Sequence, residues 1–209
     1  GNLLNVKGDP IQKVDRRAEF RALIRGCDTG SHITDYLKKR GLKAVPPCLR
    51  YHPTVENKPS MLAIISGPDG KAVGVHRTHL AESKVRKRTT SLNGSLPHGS
   101  AVRLYPSGTV LGIAEGIETA IAAHEMFQVS TWAVLSTSGM KNFVVPEGVE
   151  KLIIFGDTDQ NFAGQSAGYA LAHKLACDDR VTCSIELRFP VEGDWLDELN
   201  YVRKANGEG

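Results

Sequence analysis

The chain has 209 residues, 41% of them apolar, and 26 Lys and Arg against 23 Asp and Glu, for a formal net charge of +3. That length allows one large domain or two small ones and can bury a real core. No apolar stretch reaches the roughly 18 residues of a membrane-spanning helix, and the start, Gly1 to Lys7, has no long apolar core, so neither a membrane partner nor a signal peptide is expected. In chain order, residues 15–25 read as a helix with Phe20, Leu23 and Ile24 on one face, and residues 34–40 as a second helix stopped by Gly41. Val45-Pro46-Pro47 is a break. Residues 61–66 and 72–76 are apolar runs about Gly67-Pro68-Asp69-Gly70, a hairpin signal. Residues 81–100 are polar and rich in Ser, Gly and Pro and read as loop, and residues 102–105 as a short strand. From Val110 the pattern alternates. Strands are expected at 110–114, 131–135, 151–155 and 181–187, and helices at 116–127, 139–143, 164–176 and 195–203. Such alternation predicts a parallel α/β sheet. The tail, residues 204–209, reads as disordered.

Three acidic clusters mark the last part of the chain: Glu115-Gly116-Ile117-Glu118, Asp157-Thr158-Asp159 and Asp194-Trp195-Leu196-Asp197. The first two each follow a short apolar run of the kind that forms buried parallel strands. They therefore fall at the carboxyl ends of strands, where open α/β sheets place their ligand crevice. Carboxylates gathered there repel one another unless they are protonated or share a cation. An oxygen-only site suits magnesium or manganese. Singly, a Glu-Gly is a turn and an Asp-x-Asp a solvated loop or cap; the order of the three clusters is what points to metal chemistry.

That order resembles the Toprim domain, the metal-binding catalytic module of bacterial-type primases, type IA and type II topoisomerases and some nucleases. The matching residues are Ala114-Glu115-Gly116-Ile117-Glu118-Thr119-Ala120 and Phe155-Gly156-Asp157-Thr158-Asp159, followed by Ala163-Gly164-Gln165-Ser166-Ala167-Gly168. Upstream, Gly74-Val75-His76-Arg77-Thr78-His79-Leu80 and the segment from Ile33 to Leu42 are similar to phage- and plasmid-encoded primases and primase-helicases. The resemblance covers residues 25–203 and implies a Toprim-type parallel sheet flanked by helices, residues 106–203, preceded by a smaller α+β amino-terminal subdomain, residues 1–105. It also implies that Glu115 is a general acid or base, and Glu115 is expected to converge with Asp157 and Asp159 as a ligand of one divalent-ion site. Asp157 and Asp159, two apart in a loop past a strand, are placed to hold one or two Mg2+ or Mn2+ ions. Asp194 and Asp197 complete the cage or cap the last helix, and Glu118, one turn from Glu115, is placed to face the same ions. Primases of this type commonly carry an amino-terminal zinc module, and no such module is visible here; Cys48 and His52 are at most half a zinc site. The four cysteines form no Cys-x-x-Cys pair, so free thiols and a cytoplasmic location are expected. An initial Gly rather than Met suggests a piece of a longer protein.

Charge is unevenly divided. Residues 1–110 hold 19 Lys and Arg against 8 Asp and Glu, while residues 111–209 hold 7 against 15. A basic half suits phosphates and an acidic half suits cations. Lys84, Arg86, Lys87 and Arg88, followed by Thr89, Thr90, Ser91 and Asn93, can track a phosphate backbone or form a mobile surface loop. Arg77 faces either the acidic clusters, a nucleotide phosphate or a salt bridge between domains. The expected function is a metal-dependent DNA primase core making primers from nucleoside triphosphates on single-stranded DNA, in plasmid, phage or conjugative replication. A helicase or another replication or conjugation domain, on the same or another chain, is an expected partner. A Toprim-type nuclease and a non-catalytic nucleic-acid-binding module of a larger protein are the alternatives.

Overall fold

The computed structural model describes residues 16–28, 31–55, 57–80 and 87–207. The described residues form two four-stranded sheets. The first is antiparallel, in the order β1 (Arg50–Val55), β2 (Lys58–Ser66), β3 (Ala72–His79), β4 (Lys87–Ser91). Helix α1 (Arg17–Arg25) lays Phe20 and Leu23 against Val55, Leu62 and Val75 on one face of that sheet. Helix α2 (Ser31–Lys39) buries Ile33, Tyr36 and Leu37 toward the rest of the molecule. The hairpin at Gly67–Gly70 forms as its turn residues predict. Strand β4 is a correction, since residues 81–100 read as loop. Charges and threonines are no obstacle on an edge strand whose outer side meets water, and Arg88 and Thr89 are exposed there. Strand β1 likewise has no continuous apolar run in its sequence. Conversely, residues 102–105 form no strand. Ala101 pairs with Ser66 and Val102 with Ala133, so this segment bridges the two sheets instead.

The second sheet is parallel: β5 (Val110–Ala114), β6 (Thr131–Ala133), β7 (Lys151–Phe155) and β8 (Ser184–Arg188), in the order β6-β5-β7-β8. Helices α3 (Ile117–Phe127) and α6 (Trp195–Ala205) pack together, as do α4 (Thr137–Lys141) and α5 (Ala163–Ala176). Alternation along the strands sorts the two cores. Leu111, Ile113, Leu152 and Ile154 pack with Met140, Phe143 and Leu171, while Ala114, Ile153 and Phe155 pack with Ile117, Ile121 and Leu199. This second core does not stop at the parallel sheet. It takes in Ile33, Leu37, Leu42 and Leu49 of the amino-terminal part and Met61 and Ile65 of β2. Polar ties reinforce it: Arg203 donates to Glu125 at 2.5 Å, and Glu125 accepts from the backbone N–H groups of Lys43 and Ala44 at 2.7 and 2.6 Å. The last helix runs through Lys204 and Ala205, which the sequence pattern had assigned to a disordered tail. Among the described residues no helix is long and apolar enough to cross a membrane.

Candidate metal centre

Strand order alone locates the crevice. β5 leads into α3 and on to β6 on one side, whereas β7 lies on its other side, so the chain departs in opposite directions from the carboxyl ends of β5 and β7. Crevices in open α/β sheets form at such a switch point. Ala114 is level with Phe155 across the pair, which brings Glu115 and Gly156-Asp157 out at the same edge. Phe155 is anchored beneath by Phe127 and Trp195, with ring centroids 5.2 and 5.6 Å away.

Two tethers bring up the third cluster. Thr158 pairs antiparallel with Gly193, N–H to carbonyl at 2.8 Å, and its hydroxyl donates to the Pro190 carbonyl at 2.8 Å. Asp194 therefore follows directly beside the Asp157 loop. Thr119 of α3 donates to Asp194 Oδ2 at 3.3 Å from the other side. Gly193 has φ +68°, and a Cβ there would lie 2.5 Å from Asp197 Oδ2. That same oxygen accepts from Asp194 N–H at 3.2 Å, closing a capping box in which Asp194 Oδ1 accepts from Leu196 and Asp197 N–H. Asp159 Oδ2 accepts from Gly164 N–H at 2.9 Å, at the start of α5. Gly164 is required for that approach, because a Cβ would sit 2.6 Å from the Asp157 carbonyl oxygen.

Asp157 is the focus of these charges. Its Oδ1 is buried without a hydrogen-bond partner. Burial, then the charges of Asp194, Glu115, Asp159 and Asp197, push its carboxyl up to about 7. Glu115 is also raised, by burial and by Asp159, with Lys87 opposing. The carboxylates sense one another, but they do not close a cage: among the described residues no three His, Cys, Asp or Glu side chains are grouped to hold a metal ion. Backbone N–H groups hold Asp159, Asp194 and Asp197 instead. The donor set nevertheless fits a hard divalent cation, since an orphaned buried carboxylate oxygen with four acidic neighbours is what such an ion neutralises.

Glu118 does not face this group. Its Oε1 accepts from the Tyr36 hydroxyl and its Oε2 from Lys87 Nζ, both at 2.8 Å. Burial alone raises its carboxyl, but the Lys87 ammonium and the two hydrogen bonds prevail and hold it below the ordinary value. Tyr36 carried no signal in the sequence. Glu118 did carry one, as a lone acid in an otherwise small and apolar helix start that had to find a partner once buried. Lys87, expected to meet nucleic acid, is thus in an ion pair above the β5–α3 turn. Arg77 lies opposite Arg88 on the α1 side of its sheet, the reverse of the face that carries Lys87, so it points away from the acidic clusters. Its guanidinium donates to Thr90 Oγ1 at 3.1 Å. Lys84 and Arg86 lie outside the described residues. His76, beside Lys87, is lowered to about 4 by burial and by that ammonium, against the pull of Glu118, and is neutral. A cleft of about 260 Å³ opens between the two sheets, with Thr89, His98, Ser100, Ser136, Ser138 and Asn142 in its wall. Ser136 is spent as the cap of α4, accepting from Gly139 N–H at 2.9 Å.

The fold and crevice define a doubly wound α/β domain with an acidic switch point, fused to a basic antiparallel subdomain. Residues 110–203 match the Toprim domain family and residues 14–104 match the family described as Domain of unknown function (DUF7146). The carboxyl-terminal half of the chain has the Toprim fold, and the chain as a whole shares its fold with solved primase cores. It is similar to the primase fragment of the bacteriophage T7 primase-helicase protein, at TM-score 0.53 and 17% identity over 83% of this chain and 68% of that one. It is also similar to the DnaG primase catalytic domain bound to ssDNA, at TM-score 0.55 and 15% identity over 85% and 70%. Against the Aquifex aeolicus primase zinc-binding and RNA polymerase domains, the TM-score is 0.53 at 14% identity, over 86% of this chain and 56% of that one. No curated protein matched.

Proposed function

We propose that this chain is the catalytic core of a DNA primase, joining nucleoside triphosphates into short primers on single-stranded DNA with Mg2+ or Mn2+. The observation that carries the reading is the buried, unpartnered Oδ1 of Asp157 at the switch point, ringed by four further acids. Asp157 and Asp159 would hold the ions, and Asp194 and Asp197 would support them without leaving their capping bonds. Bound ions would neutralise the triphosphate and the departing pyrophosphate. Glu115, half-buried and raised, is poised to take or give the proton of a 3′-hydroxyl. The hydroxyl-lined cleft beside it suits the sugar and base of a nucleotide. Lys87 would meet phosphate at the mouth of the crevice, Arg88 would contribute with Arg77 from the α1 side of the basic subdomain, and Lys84 and Arg86 would add to the affinity for the template. The test is incubation of the chain with single-stranded DNA, labelled nucleoside triphosphates and Mg2+ or Mn2+. New short oligomers are expected. Shortened DNA would instead make it a nuclease, and neither product would make it a binding module.

A further inference from the structure

Glu118 takes no part in the acidic group, yet it is among the most deeply buried charges of the protein, with its side chain 4% exposed. Its partner Lys87 is 43% exposed. One end of the pair is therefore sealed in the core while the other reaches water. Lys87 Nζ lies 3.9 Å from where a Cβ on Gly116 would be, directly over the turn between Glu115 and α3. A lysine near the start of an edge strand has a flexible four-carbon stem and no fixed address of its own. Here the carboxylate supplies the address, and the Tyr36 hydroxyl on its other oxygen ties it to α2. The same carboxylate thus joins three elements, α2, β4 and α3, the last of which begins two residues after Glu115.

We propose that Glu118 is a positioning residue that holds the Lys87 ammonium at the mouth of the acidic crevice, at a set distance from Glu115, to meet the phosphates of an incoming nucleoside triphosphate. The phosphate half of this statement rests on the nucleotide-transfer reading, and the ion-pair half stands without it. Glu118→Gln keeps the shape and an acceptor for Tyr36 but removes the charge. Acetylation of the folded chain by acetic anhydride, read by mass spectrometry, compares the Lys87 amine with the exposed Lys174. Lys87 should react slowly in the wild type and about tenfold faster in Glu118→Gln, the scale of one charge-assisted hydrogen bond. Equal rates in the two proteins overturn the proposal. In primer synthesis the KM for nucleoside triphosphate should rise by about the same factor with kcat changed less than about twofold, the pattern of lost binding rather than lost chemistry. Lys87→Gln should match it, and the double variant should be no worse than either single one. Additive effects, or loss of Mn2+ binding by calorimetry in Glu118→Gln, would make Glu118 an independent metal ligand and overturn the proposal. If the wild type makes no oligomers, the affinity for Mn2+–ATP by calorimetry replaces KM. A wild type that binds no Mn2+–ATP sinks the transfer reading and the phosphate half with it, while the acetylation rates still decide whether Glu118 fixes Lys87. Should Glu118→Gln fail to fold by circular dichroism, Glu118→Asp, which draws the charge back by one methylene, is read in the same assays.

Discussion

Asp157 is costly to ionise in the folded protein. Its carboxyl sits at about 7 against an ordinary 3.8, so the folded protein binds a proton there more tightly than the unfolded chain does. The sign follows. The stability contributed by that proton is present in full below about pH 4, is lost as the pH rises toward 7, and is flat above. Metal-free protein should therefore melt at a falling temperature from pH 5 to pH 7. Asp157→Asn, which cannot ionise, should flatten most of that slope. It should also raise stability at pH 8 by roughly 1 to 3 kcal/mol, since one unit of pKa is worth about 1.4 kcal/mol and solvent screens part of it. The same variant should lose Mn2+ binding and all metal-dependent turnover. Thermal denaturation across that pH range is the check. A variant less stable than the wild type at pH 8 would assign Asp157 to the scaffold.

The elements around the crevice are held by close approach rather than by size. Helix α5 begins where Gly164 N–H meets Asp159 Oδ2, and the helix can come that near only because position 164 has no side chain. Gly164→Ala places a methyl 2.6 Å from the Asp157 carbonyl oxygen, a backbone atom with no room to yield. The expected cost is about 1 to 3 kcal/mol, as for overpacking elsewhere, despite the gain in helix propensity. The displaced Asp157–Asp159 loop should also bind Mn2+ more weakly. Calorimetric titration alongside a melt separates the two effects; unchanged Mn2+ affinity would mean that the loop is shaped without help from α5.

At the scale of the molecule, the two family matches meet between residues 104 and 110, but the packing does not divide there. Ile33, Leu37, Leu42 and Leu49 share one core with Ile121 and Leu199. A fragment of residues 106–209 would expose that apolar face and leave Glu125 and Arg203 without their partners in the segment from Arg40 to Ala44. It should fail to melt cooperatively, whereas the whole chain should unfold in a single transition by both heat and urea. A fragment with a sharp melt of its own would make residues 106–203 an independent domain. The charge contrast belongs to this scale too. Neutralising Lys84, Arg86, Lys87 and Arg88 together should weaken single-strand binding for all sequences alike and flatten its salt dependence by about 0.7 in log–log slope per lost contact. An unchanged slope would move the template path elsewhere on the basic subdomain.

The pattern of residues by itself determined the parallel sheet, its strands and most of its helices, because continuous apolar runs and helical periodicity are local properties of the chain. It also placed Glu115, Asp157 and Asp194 at element ends, since each directly follows or precedes such a run. Strand β4 escaped notice because an edge strand needs little apolar surface, and β1 because a run such as Arg50 to Val55 alternates too weakly. Only the tertiary structure decided which way the charges turn. Glu118 and Glu115 are three residues apart, yet one bonds to Tyr36 and Lys87 from the distant amino-terminal part, while burial and the charge of Asp159 raise the carboxyl of the other. The pleat of β3 and β4, invisible until their register is known, sends Lys87 toward the crevice and Arg77 away from it. A carboxylate's partners are chosen by desolvation and by whichever donor or like charge shares its space, and those neighbours come from residues that the sequence keeps far apart.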